Sequence, residues 1–162
     1  MSTRSALGYI PVKGEEEWRA IYCHWDGYPS LRGKQIWEIL HKDFLGNKGE
    51  FGVENSGDET NAIKAFCQIY IDGHKGGFSS FPKVCYCHNP EFVLRDGTRE
   101  NVVFEKDLKD SWIEYLYLIN PWEKTMQIYE VDGSKKELLA DINLLGSEPN
   151  WEKIENPDEV KN

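Results

Sequence analysis

The residues of this chain best suited to chemistry are His24 and Asp26, set in Ile21-Tyr22-Cys23-His24-Trp25-Asp26-Gly27-Tyr28-Pro29. On an extended chain, side chains two positions apart project to the same side. A carboxylate beside an imidazole fixes its tautomer and raises its basicity, as a general base requires. The same pair can instead hydrogen-bond the Asp26-Gly27 turn and hold Tyr28-Pro29 in place, or face a ligand. No Ser in a G-x-S-x-G elbow accompanies them, and no third catalytic partner stands at fixed spacing.

Cys85-Tyr86-Cys87-His88, together with Cys23-His24, raises the question of zinc. Zinc takes four N or S ligands in a tetrahedron, commonly from C-x2-C or H-x3-H pairs. A C-x-C strand puts both thiols on one face, but the chain has no second pair of that kind, and Cys67 falls on a helical pattern. Small buried thiols are the expected outcome, with neither metal nor cofactor. Lys75-Gly76-Gly77 lacks the Walker pattern, and G-x-G-x-x-G is absent, so this segment is expected to be a linker. Arg19, Arg32 and Arg95 are the cations placed to hold a phosphate. Tyr22, Trp25, Tyr28, Phe78 and Phe81 form either an aromatic wall for a planar ligand or part of the core.

These residues need elements to position them. Alternation over about Arg19 to Trp25 predicts a strand with Ile21, Cys23 and Trp25 on one face and Tyr22, His24 and Asp26 on the other. A helix capped by Ser30 is expected to run to about Leu45, with Ile36, Leu40 and Phe44 as its buried stripe. A second helix, capped by Ser56 or Asp58, should run to about Ile71 behind Ala62, Ile63 and Phe66. Beyond Pro82 the period changes to two. Short strands are expected at Lys83 to His88 and near Asn101 to Phe104. The run from Trp112 to Ile119, apolar on nearly both faces, should be a central strand. Thr125 to Val131 and Lys136 to Leu144 then form a hairpin across Asp132-Gly133.

The expected fold is α+β: an antiparallel sheet of about four to six strands with two helices packed on one face. The chain of 162 residues fits a single domain, 1–162, with a core over about 17–145. Residues 1–14 are expected to be a flexible arm and 148–162 a tail that Trp151 pins in part. With 40% hydrophobic and 13% aromatic residues the chain is globular. A net charge of −9 argues against general nucleic-acid binding, which needs basic patches. No secretory h-region and no membrane-length apolar run occurs in the sequence, which predicts a cytoplasmic protein with reduced thiols and no membrane partner.

The stretch Tyr22-Cys23-His24-Trp25-Asp26-Gly27-Tyr28-Pro29 resembles a Y-x-H-W-D-G-Y-P signature of small uncharacterised proteins of bacteria and their phages. Gly33 matches an early glycine in the helix that follows. Glu114-Tyr115-Leu116-Tyr117 is similar to their E-Y-x-Y strand. Arg95-Asp96-Gly97-Thr98-Arg99-Glu100 is similar to an R-D-R-G-E-like turn, although the spacing departs. The resemblance spans about residues 18–131, and only the first motif is specific. It implies a phage or mobile-element setting with accessory or counter-defence roles, and it identifies no catalytic residue.

The reading these observations favour is a non-enzymatic binding protein that engages a host protein or sequesters a small nucleotide-like ligand. Its candidate surface is Tyr22, His24, Asp26, Tyr28, Arg32 and Arg95, and self-association into a homo-oligomer is open to it. The competing reading is a small enzyme acting on a phosphoester or nucleotide through His24 and Asp26.

Overall fold

Asp132-Gly133 does close a hairpin. Gly133 takes φ +64°, the left-handed conformation that glycine adopts without a Cβ penalty. In this computed structural model the described residues are 3–23, 27–46, 52–72 and 102–157. The strands are β1 (Ser5–Tyr9), β2 (Arg19–Cys23), β3 (Val102–Phe104), β4 (Tyr115–Asn120), β5 (Thr125–Asp132) and β6 (Lys135–Asn143). They form one six-stranded sheet in the order β3-β2-β1-β4-β5-β6. The fold is therefore α+β.

The sheet is mixed rather than antiparallel throughout. β1 pairs in parallel with β4, matching Ser5 to Tyr115 and Tyr9 to Ile119, while the other neighbours are antiparallel. β4 lies in the central pair, as its apolar run predicts, but starts at Tyr115. Trp112 precedes it in a left-handed conformation (φ 61°) and is 74% exposed. The expected arm over 1–14 is corrected by β1, whose five residues are all buried. Gly8 explains part of that burial: a Cβ there would stand 2.7 Å from the Ala20 Cβ across the ladder.

Five α-helices accompany the sheet among the described residues: α1 (Lys34–Ile39), α2 (Val53–Ser56), α3 (Glu59–Cys67), α4 (Leu108–Ser111) and α5 (Trp151–Glu155). π-type turns extend α1 at both ends, over Pro29–Gly33 and Leu40–Phe44, and continue α3 over Gln68–Asp72. Ser30 does not cap the first of these runs. The cap is Tyr28, extended at ψ 156°, with Pro29 in the first turn, where its missing N–H costs nothing. Asp58 caps α3, accepting from the Asn61 N–H at 2.8 Å, a contact worth about 1 kcal/mol.

Two apolar clusters result. The larger joins Leu7, Ile21, Cys23, Tyr117, Ile119 and Ile128 of the sheet to Ile36, Leu40 and Phe44 and to Ala62, Ile63 and Phe66. The second joins Ala6, Ala20, Leu116, Leu118 and Val131 to Trp18, Val103, Leu108 and Ile113. The core therefore extends beyond 17–145 at both ends, to β1 and to buried Trp151, whose helix α5 occupies part of the expected tail. No helix among the described residues is long and apolar enough to cross a membrane.

Candidate functional site

β2 carries the motif out of the sheet. Ile21 and Cys23 point into the larger cluster, as alternation predicts, and Tyr22 is half-buried beside both clusters. His24, Trp25 and Asp26 lie outside the described residues, as do Arg95, Phe78, Phe81 and the segment Cys85 to His88.

The chain re-enters at Gly27, pressed against β1. A Cβ at Gly27 would meet the Ser5 Cβ at 2.6 Å, so only glycine fits. The Gly27 N–H donates to the Thr3 carbonyl at 3.0 Å, and the Tyr117 hydroxyl donates to the Gly27 carbonyl at 2.5 Å. Burial holds the Tyr117 phenol well above its usual range, while the positive charge of Arg32 works in the opposite direction. Tyr28 then starts the helical run: its carbonyl accepts from the N–H groups of Leu31 (3.0 Å) and Arg32 (2.8 Å).

Arg32 is not a surface cation. It is 1% exposed, and its Nη1 donates to Gln35 Oε1 at 3.1 Å. A charge that deep serves the interior around it and does not reach an incoming phosphate. Arg19 is likewise committed. Its Nε and Nη2 fork onto the two Asp72 oxygens at 2.7 and 2.8 Å, and Nη2 also donates to the Tyr9 hydroxyl at 2.8 Å. The Tyr9 hydroxyl in turn donates to Asp72, and burial together with that bond raises its pKa far above normal. Tyr28 and Arg32 thus meet at the start of the helical run, whereas Arg19 is engaged by Tyr9 and Asp72.

A well-formed recess among the described residues lies elsewhere, on the side of the sheet served by the second cluster. It is a cleft of about 590 Å³. Leu118, Asn120, Gln127 and Tyr129 supply its floor from β4 and β5, and Glu15, Glu16 and Glu17 line one side. Trp18 and Lys136 converge on Glu105: the indole N–H donates to Oε2 at 2.8 Å, and the ammonium sits 2.9 Å from Oε1. The same ammonium stands 5.3 Å from the centre of the Tyr129 ring. The Tyr129 hydroxyl donates to Gln127 Oε1 at 2.7 Å, and burial raises its pKa while Lys136 opposes the shift. A second recess of about 380 Å³ shares Glu17, Trp18 and Glu105 and continues past them to Pro11 and Phe104.

Sequence reasoning missed this cleft. Nothing in the run Glu15-Glu16-Glu17 by itself joins it to β5. The available signal was Asn120, Gln127 and Tyr129, polar-tipped residues on otherwise apolar strands. Among the described residues no group of three or more His, Cys, Asp or Glu side chains could hold a metal ion. Comparison with known proteins finds no family model that matches the chain, and no curated protein or solved structure that matches it.

Proposed function

We propose that this chain is a non-enzymatic binding protein that engages a host protein. Following the resemblance at Tyr22 to Pro29, we place it as an accessory or counter-defence factor of a phage or mobile element. The observation that carries the binding reading is the cleft over β4 and β5. Its tryptophan, lysine and tyrosine are tied to Glu105 and Gln127, which makes a fixed recognition surface rather than a set of groups that move protons. A protein partner suits it better than a nucleotide. Four glutamates line the cleft, and carboxylates repel phosphate. Buried Arg32 and clamped Arg19 offer an anion little.

The test pairs two measurements on the purified chain. One captures partners from bacterial lysate and rebuilds the complex from purified components by size-exclusion chromatography. The other incubates the chain with nucleotides and cyclic dinucleotides, following thermal shift and recovered ligand. The expected result is a defined complex with one host protein and nucleotides recovered unchanged. Nucleotide turnover that disappears in His24→Ala would overturn the reading.

A further inference from the structure

The chemistry of the cleft is that of cation recognition. Carboxylates line one side, and aromatic rings stand at its floor and wall. An ammonium held between a carboxylate and a tyrosine face gains both charge attraction and a cation–π contact. The chain already places one there: Lys136, between Glu105 and Tyr129. That lysine neutralises one glutamate and leaves Glu15, Glu16 and Glu17, all exposed, along the same recess. The recess, at about 590 Å³, is larger than a single side chain needs, and it shares Glu17, Trp18 and Glu105 with the second recess. The first recess is lined by four carboxylates, and the second is lined also by Arg19, Lys106, Pro11 and Phe104. The pair suits an extended chain whose basic side chain enters the first and whose apolar neighbour enters the second.

We infer that this groove docks a lysine- or arginine-bearing extended segment of a basic protein partner. One basic side chain enters the larger recess toward Glu16, Glu17 and Tyr129. An apolar neighbour enters the smaller recess against Phe104 and Pro11. The chain's net charge of −9 adds steering of a basic partner toward the surface, a contribution that weakens with salt. This inference rests on the reading of the chain as a partner-binding protein and names the chemistry of that partner.

The experiment titrates the full chain into a fluorescein-labelled peptide of alternating lysine and leucine, read by anisotropy at two salt concentrations. Generic attraction to an acidic protein is separated from the groove by two charge-matched double variants. Glu16→Gln with Glu17→Gln removes two charges at the groove. Glu38→Gln with Asp43→Asn removes two exposed charges along the helical run of α1, on the larger-cluster side. The groove variant is expected to weaken binding at least tenfold and the control less than threefold, with Tyr129→Leu weakening it about fivefold. Circular dichroism melts verify that each variant is folded. Equal losses in both doubles, or no peptide binding by the wild type, would overturn the inference. So would full displacement of the peptide by millimolar putrescine, which would mark a small-amine site. A host complex that survives the groove variant would sink the groove while sparing the binding function. Nucleotide turnover would sink the function itself.

Discussion

Glu155 Oε1 accepts two hydrogen bonds from Ser30, one from its backbone N–H at 3.0 Å and one from its hydroxyl at 2.9 Å. The contact ties α5 to the first turn after the Tyr28-Pro29 corner. Trp151 completes it by packing over Gly33, where a Cβ would stand 2.8 Å from the indole ring. The C-terminal helix therefore holds the segment on which the signature residues end.

Trp151→Ala is expected to destabilise the chain by about 3–5 kcal/mol, because a buried indole is lost. Gly33→Ala should cost about 1–3 kcal/mol through overpacking. The two are coupled: Gly33→Ala should cost much less in the Trp151→Ala background. Urea unfolding of the four proteins completes the cycle. Additive costs would show that the indole does not lie on Gly33.

Arg32→Ala is expected to cost about 1–3 kcal/mol, since it truncates a buried side chain and leaves acceptors such as Gln35 Oε1 without their donor. Arg32→Lys should recover less than half of that, because an ammonium does not reproduce the planar guanidinium that the buried site encloses. A stable Arg32→Ala protein that had lost partner binding would instead make Arg32 a contact residue.

Alkaline pH should destabilise the fold through Tyr9 and Tyr117, both raised above the ordinary tyrosine pKa by burial. Below about pH 10 folded and unfolded chains both keep these protons, and the contribution is complete. Above it the unfolded chain releases protons that the folded chain holds, so stability falls as pH rises. Urea midpoints measured from pH 8 to pH 11 should drop, with a shallower fall in Tyr117→Phe. At pH 8 that variant should be about 1 kcal/mol less stable, having lost the bond to the Gly27 carbonyl. An unchanged alkaline slope would count against burial of the phenol.

Trp112→Gly should change stability by no more than about 1 kcal/mol, unlike any buried tryptophan. Relief of the left-handed conformation, about 1–2 kcal/mol, offsets the flexibility that glycine adds to the unfolded chain. Thermal melts of the two proteins decide it, and a loss above 3 kcal/mol would mean that Trp112 is packed.

The elements that announce themselves locally were legible in the sequence. The apolar run at Tyr115 to Ile119, the Asp132-Gly133 turn and the stripe of Ile36, Leu40 and Phe44 each carry their own period. β1 was not legible. Ser5-Ala6-Leu7-Gly8-Tyr9 is short and small, and glycine and alanine are poor strand formers. They are required because the chains crowd at Gly8 and Ala20, a constraint set by a partner strand and invisible in the segment alone. The cap moved from Ser30 to Tyr28 because the Ser30 hydroxyl is engaged by Glu155, far away in sequence. The cleft was hidden for the same reason. Its glutamates, its tryptophan and its tyrosine come from three separate stretches, and only the sheet order brings them together.

The parallel ladder between β1 and β4 divides the sheet into two halves of different kinetic character. β4, β5 and β6 are contiguous and can zip as local hairpins on a microsecond scale. β1 must find Tyr115 to Ile119 across most of the chain, which is a slow, high-contact-order search. During synthesis β1 and β2 emerge long before their central neighbour exists. Joining the two halves is thus the expected rate-limiting event. Until it happens, the inner edge of β1 exposes unpaired backbone groups to other chains, the period in which a chaperone matters most.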